Sequence, residues 1–473
     1  MSVKLFIILF AFFVQFTDKK GSEHISLSED ALEKREKRNI AIDSMDYAVS
    51  PTYIDSLKQI GCHIYHTSRW LNGATIETND SIIDIIKKWS FVDTIYLTRT
   101  SNSAFGIHSV SILKTVVELE NKERASEMNM QIRGQLDQIN LPKLHKEGYR
   151  GQGITMAIID GGFQNADSHS AFDSIREQIL GMYDMTDDTD DICGQTGDHG
   201  TKCFGTIAAK TADYMGAATA ANYYLIRSEE HFTESPKEMD NWVAAIELAD
   251  SLGVDIVSSS LGYAMFDNQQ FTLSYSDMDG KSTRCTQAAK IASRKGMLVV
   301  VAAGNEGNKL WHYISAPSDA DSILTVGAVD IHDSIAAFSS WGPSADGRIK
   351  PEVCALGHQT ELINPVGINV IRGNGTSFAC PIIAGMAACL WSALPDASNI
   401  EIRERIIQSA NQYDLPNNQY GYGIPDAWKA YNIETNVVDV AEEKIVQVRK
   451  IMIDGVLWIM YNGSMYNVFG EKQ

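Results

Sequence analysis

Four residues in this 473-residue chain have the types and settings for acyl-transfer chemistry: Asp160, His199, Asn305 and Ser377. Ser377 follows the turn Gly373-Asn374-Gly375 and opens an apolar, Ala-rich run that ends near Leu394. That pattern predicts a helix with the Ser377 hydroxyl in its first turn. Backbone N–H groups there lack intrahelical partners and carry partial positive charge. An alkoxide, or the oxyanion formed by its attack, is stabilised in such a place. Gly375 lets a substrate backbone come close. Taken alone, Thr376 or Ser377 also fits the plain role of helix cap, so the serine matters only if the chain supplies a base.

The other three are candidates to supply it and its helpers. Asp160 ends the apolar run Ile154 to Ile159 and precedes Gly161-Gly162, which projects its carboxylate from a sheet edge; turn capping is the other reading. His199 sits in Gly197-Asp198-His199-Gly200-Thr201, between glycines that permit close approach, whereas His169 reads as a surface residue. Asn305, in Val301-Ala302-Ala303-Gly304-Asn305-Glu306-Gly307, places an amide just after a buried strand, a position an ordinary turn residue also occupies.

The elements that must position these groups read as follows. Ile154 to Ile159 reads as a continuous apolar run, as expected of a strand covered on both faces, and Tyr223 to Ile226, Asp255 to Ser258, Met297 to Ala302 and Ile323 to Val329 repeat that texture. Helical stretches at Thr201 to Lys210, Met239 to Leu252 and Thr283 to Lys295 alternate with them. The expected fold is α/β, in three layers, with a mostly parallel central sheet and helices on both faces. Ligands of such sheets bind beyond the carboxyl ends of the strands, where Asp160, the loop after Ser258 and Asn305 fall.

Residues 17–105 have the pattern of a separate small α/β unit: helices at Asp55 to Ile60 and Ile82 to Trp89, and strands at Ala74 to Glu77 and Val92 to Leu97. A polar stretch follows, read as a linker over 106–135. Residues 1–16 have the basic start and short apolar core of an export signal without a clear small-x-small cut site, although Phe13 to Thr17 also suits a strand of the next unit. At the other end, Asp454-Gly455 and Asn462-Gly463 between β-rich runs predict a three-stranded appendage over 437–473. The net charge of -20 offers no basic excess for nucleic acid. No later segment is read as membrane-spanning. The seven cysteines show no Cys-x-x-Cys pair; Cys193 and Cys203 bracket His199 and either bridge or stay as buried thiols.

In their order, Asp160, His199, Asn305 and Ser377 resemble the motifs of the subtilases, the subtilisin-like serine peptidases. The resemblance extends to Ser260-Leu261-Gly262, to Phe338-Ser339-Ser340-Trp341-Gly342-Pro343 with Asp346 to Val353, and to Gly421 to Ala427. It covers about 136–432 and implies an exported endopeptidase acting through an acyl-enzyme. By resemblance, Ser377 is the nucleophile, His199 the base, Asp160 its orienting acid and Asn305 an oxyanion donor. Ser260, Leu261, Gly262, Ala303 and Gly304 are then the substrate-binding residues. No metal or cofactor is implied. The partners implied are protein or peptide substrates and the chain's own pro-segment, 17–105, acting as inhibitor, with Thr67 to Ala74 similar to a segment of bacterial pro-regions.

Some positions depart from the family pattern. Lys202-Cys203-Phe204 replaces the usual His-Val-Ala after His199-Gly200-Thr201, which points to altered packing on that helix. Phe378 stands where Met is common, and Tyr263 where a second Gly is frequent, a change expected to narrow the substrate groove. The acids Asp184, Asp187, Asp188, Asp190 and Asp191 suggest calcium or a solvated loop and fit no EF-hand. The alternative to a general peptidase is a dedicated maturation enzyme or a catalytically silent binding protein of subtilase fold. Location is read as secreted, cell-surface or periplasmic.

Overall fold

The computed structural model describes residues 9–100, 134–186, 191–194, 197–230 and 233–433, together with the strand segments 449–453, 456–461 and 464–466. They fall into two units divided after Tyr431.

The N-terminal segment, expected to be a pro-segment, builds β1 (Phe10–Phe16), α1 (Glu29–Lys37), α2 (Pro51–Gln59), β2 (His63–Ser68), β3 (Gly73–Thr78), α3 (Asp80–Ile86) and β4 (Val92–Arg99). Its four strands form an antiparallel sheet in the order β2-β3-β1-β4. Side chains alternate across a strand, so Phe12, Val14 and Phe16 pack with Tyr53, Leu57, Ile83 and Ile86 of the helices. Phe13 on the opposite face joins the core of the larger domain. The export signal drawn to residue 16 does not survive this arrangement. Residues 10–16 pair with β3 on one side and β4 on the other, so a cut at 16 would remove an inner strand. A short apolar stretch suits either role, and only its sheet partners decide between them. The linker region lies outside the described residues apart from 134–135.

After the short helices α4 (Gln135–Gln138) and α5 (Pro142–Lys146), the larger domain alternates as expected. It runs β5 (Thr155–Asp160), β6 (Ile179–Asp184), α6 (His199–Ala208), β7 (Asn222–Arg227), α7 (Pro236–Ser251), β8 (Ile256–Ser259), α8 (Arg284–Arg294), β9 (Leu298–Ala302), β10 (Leu324–Val329) and β11 (Val353–Leu356). The hairpin pair β12 (Thr360–Ile363) and β13 (Val370–Gly373) precedes α9 (Thr376–Ala393), α10 (Asn399–Ser409) and α11 (Ala427–Asn432). Seven strands form one parallel sheet, ordered β11-β10-β9-β8-β5-β7-β6. Every residue of β9 and β10 is buried. Alternate residues serve opposite faces: Met156, Ile158, Val300 and Val326 meet α6, α9 and α10, while Ala157, Ile159, Val299 and Val301 meet α7 and α8. This is the three-layer arrangement the apolar runs predict.

The second unit contains β14 (Arg449–Ile453), β15 (Val456–Tyr461) and β16 (Ser464–Tyr466), paired antiparallel in that order. The turns Asp454-Gly455 and Asn462-Gly463 lie outside the described residues.

The pro-segment sheet lies against α7, and ion pairs fix the contact. Arg35 Nη2 is 2.7 Å from Asp250 Oδ1, and Arg69 Nη2 is 2.7 Å from Asp250 Oδ2. Lys34 Nζ lies 2.7 Å from Asp255 Oδ2. Ser68 and the Arg69 backbone N–H donate to the Glu247 carboxylate.

Candidate active site

Asp160 is the last residue of β5 and fully buried. His199 is the first residue of α6, and its Nδ1 lies 2.6 Å from Asp160 Oδ1. The same oxygen accepts the Gly161 backbone N–H at 2.7 Å. The approach of α6 depends on Gly200: its N–H donates to Gly162 O at 2.9 Å, and a Cβ there would stand 2.5 Å from that oxygen. Burial alone opposes an imidazolium, but the adjacent Asp160 carboxylate outweighs it and holds the His199 pKa well above its ordinary value. Nε2, the nitrogen opposite the carboxylate, has no hydrogen-bond partner among the described residues.

Ser377 is the second residue of α9, with its N–H among those that lack an intrahelical acceptor. Its Oγ lies 3.4 Å from Ser260 O. Pro381 stands four residues further on and carries no N–H, so the helix offers no i+4 donor to the Ser377 carbonyl. A buried carbonyl needs a partner. Ser260 Oγ donates to it at 2.8 Å, and Cys203 Sγ on α6 approaches at 3.3 Å. Cys203 Sγ is also 3.8 Å from His199 Nδ1, and the Phe378 ring centroid is 5.9 Å from that of His199. The imidazole and the first turn of α9 therefore share neighbours. Among the described residues, His199 Nε2 and the Ser377 hydroxyl are not hydrogen-bonded to each other; bonds of this kind often tighten only when substrate binds.

Asn305 follows β9 by three residues. Its Oδ1 accepts the Thr376 backbone N–H at 2.9 Å and the Thr376 hydroxyl at 3.0 Å. An N–H can bond only to the amide oxygen, so this pairing orients the side chain. Nδ2 lies 3.6 Å from where a Cβ on Gly375 would stand, and Ser377 Cβ is 3.7 Å from the same point. The amide N–H groups thus flank the turn that leads to Ser377.

Of the substrate-binding candidates, Ser260, Leu261 and Gly262 lie directly after β8, while Ala303 and Gly304 lie directly after β9. Tyr263 does not narrow the groove. It is 2% exposed and its hydroxyl donates to Glu229 Oε1 at 2.7 Å, inside the protein. Among the changed positions after His199, Phe204 stacks on Phe172 at 4.6 Å and Lys202 pairs with Asp198 at 2.8 Å, as packing changes would. Cys203 goes further: its Sγ reaches both His199 and the Ser377 carbonyl. It does not bridge Cys193, whose Sγ faces Met182 Sδ at 3.5 Å; all seven cysteines are free. In the acidic loop, Asp184 is committed to Arg227 at 2.8 Å, and 187–190 lie outside the described residues. Thr376 and Cys203 contact the candidate residues without having been singled out in the sequence for a place beside them. The helix-breaking Pro381 was a legible hint that the Ser377 carbonyl needs outside donors.

A parallel sheet that brings an acid–imidazole pair beside a serine in a helix's first turn is suited to acyl transfer, and the class is that of the serine endopeptidases. Residues 151–423 match the description "Subtilase family", and residues 11–111 match "Peptidase S8 propeptide domain, Bacteroidota". The chain belongs to the subtilase family. It is similar to Subtilisin DY of Bacillus licheniformis, 30% identical over 275 residues that cover 58% of this chain and 89% of that one. Serine protease AprX of Bacillus subtilis (strain 168) is 27% identical over 340 residues, 63% of this chain and 72% of AprX. Subtilisin-like protease SBT6.1 of Arabidopsis thaliana is 28% identical over 308 residues, 61% of this chain, but the match spans only 27% of that protein.

Proposed function

We propose that the protein is an exported endopeptidase in which Asp160, His199 and Ser377 form the catalytic triad. His199 Nε2 takes the Ser377 proton as Oγ attacks the peptide carbonyl, and the resulting imidazolium is stabilised by Asp160. The oxyanion is bound by Asn305 Nδ2 and the Ser377 backbone N–H. His199 then passes its proton to the leaving amine, and water hydrolyses the acyl-enzyme. Ser260, Leu261 and Gly262 on one side, with Ala303 and Gly304 on the other, hold the substrate backbone. The single observation that carries this reading is the 2.6 Å contact between His199 Nδ1 and Asp160 Oδ1, which leaves Nε2 without a partner among the described residues.

The pro-segment is read as an inhibitor retained until it is cleaved from the peptidase domain. Its ion pairs with α7 support that reading, and the propeptide match supports export. A fluorophosphonate probe should label the processed protein covalently, and Ser377→Ala should abolish labelling. Labelling of the mutant at undiminished yield would show that another residue is the nucleophile.

A further inference from the structure

Three carboxylates gather around the turn between β7 and α7. Glu229, Glu234 and Glu238 each bring an oxygen to within 4.8 Å of the other two. Glu238, in the first turn of α7, is wholly buried. Acids this close oppose one another's ionisation. Burial, and after it the Glu234 carboxylate, pushes the Glu229 pKa up to about 8. Burial and the charges of Glu229, Glu234 and Glu230 hold that of Glu238 well above its ordinary value. The nearby cations are engaged by Glu230: Lys237 Nζ lies 2.5 Å from its Oε1, and Arg99 Nη1 lies 3.3 Å from the same oxygen. Donors outside the trio hold two of its members in place. The Tyr263 hydroxyl donates to Glu229 Oε1 at 2.7 Å, and the N–H groups of Glu230 and Ser235 donate to the two Glu238 oxygens at 2.9 and 3.2 Å.

A separate observation in the same turn points to a ligand. Ser235, between Glu234 and the first turn of α7, is 2% exposed, and its hydroxyl has no hydrogen-bond partner among the described residues. A buried hydroxyl in that state costs about 1–3 kcal/mol, and an ion is one of the partners that relieves it. Calcium takes about six to eight oxygens at 2.3–2.6 Å, so ligands on opposite sides of it stand about 4.6–5.2 Å apart. The three glutamate oxygens lie within that span, and the donors are all of the hard oxygen type that calcium prefers. We propose that Glu229, Glu234 and Glu238, with the Ser235 hydroxyl, form a calcium site that clamps the β7–α7 turn. The ion supplies the positive charge that three adjacent carboxylates need in order to stay ionised together. Its hold extends toward Asp160, because the Ser228 N–H donates to Asp160 O at 3.1 Å and the Glu229 side chain stands 3.6 Å from where a Cβ on Gly161 would be. The site contains no member of the proposed triad and does not depend on it.

The test uses the full-length chain carrying Ser377→Ala, stripped on a chelating resin and titrated with calcium chloride in a calorimeter. Expected is a saturable isotherm, with magnesium bound roughly tenfold or more weakly, and a Tm that rises with calcium. Glu229→Gln and Glu234→Gln should each weaken calcium binding roughly tenfold or more, since each removes a charged ligand. Without calcium these two variants should melt no lower than the parent, because a repulsion has been relieved. A parent chain that binds no calcium overturns the proposal without needing any variant to fold. So does calcium binding that both glutamine variants leave unchanged, which would put the ion elsewhere, for instance in the acidic loop that includes Asp184 and Asp191. Fluorophosphonate labelling of the processed enzyme tests the triad separately, so failure of either reading leaves the other standing.

Discussion

Thr376 Oγ1 donates to Asn305 Oδ1 at 3.0 Å while accepting the Gly304 backbone N–H at 3.2 Å. One hydroxyl thereby ties the residue before the proposed nucleophile, Ser377, to the amide proposed to bind the oxyanion. The bond fixes the acceptor end of Asn305, and on the proposed mechanism its donor end then serves the oxyanion. Thr376→Val keeps the shape but removes the bond. Its kcat should fall about tenfold, the scale of one lost hydrogen bond of about 1–1.5 kcal/mol, with KM little changed and Thr376→Ser restoring the rate. Equal loss in kcat for Val and Ser would refute the positioning role.

Asn305 itself should matter more. Asn305→Ala is expected to lower kcat by about 10²–10³, the range known for removing one oxyanion donor in a related enzyme. Steady-state kinetics with unchanged KM would mark the loss as one of transition-state binding.

The acid–imidazole pair predicts a pH profile. Because Asp160 holds His199 well above its ordinary value, the imidazole is protonated and unable to act as base until pH rises through that raised pKa. Activity should therefore climb on the alkaline side of the ordinary histidine range. Asp160→Asn should move the ascending limb toward acid while lowering kcat by about 10⁴. A limb that stays in place would show that the carboxylate does not set the titration.

The grip of the pro-segment rests on buried charge. Arg35 and Arg69, 4% and 7% exposed, both reach Asp250, which is 3% exposed. Removing one side of such a pair strands the other in a poorly solvated place. In a Ser377→Ala background, which keeps the chain unprocessed, Asp250→Ala should destabilise the protein by about 3–5 kcal/mol. Urea unfolding measures this directly, and a shift under 1 kcal/mol would mean the pairs contribute little.

His66 adds a pH term to the same interface. Burial pushes its pKa down, against its bonds from Nε2 to Met185 O at 2.8 Å and Asn241 Oδ1 at 3.1 Å; Lys237 and Asp240 also face it. The released imidazole takes up a proton near pH 6.5, and the bound one only at lower pH. The neutral form's contribution is thus complete above about pH 6.5 and is lost as pH falls toward the depressed bound value. Release of the cleaved pro-segment should be faster at pH 5 than at pH 7.5, and His66→Gln should flatten that dependence.

Much of this molecule is legible along the chain. The largely apolar runs marked β5, β7, β8, β9 and β10 within a residue or so, because strands covered on both faces need no alternation. The Gly-rich turn and apolar run before and after Ser377 located the start of α9. Asp160 and His199 were placed at element ends by their glycine neighbours. The contacts that make these ends a site were not legible, since they join residues far apart in sequence. Thr376 meets Asn305 across 71 positions, Cys203 meets Ser377 across 174 and Arg35 meets Asp250 across 215. Tyr263 turning inward to Glu229, and residues 10–16 serving as a strand, also depended on partners that no local pattern names. Backbone propensity and periodicity are local properties and fix the elements; which buried donor finds which acceptor is settled only when the elements pack.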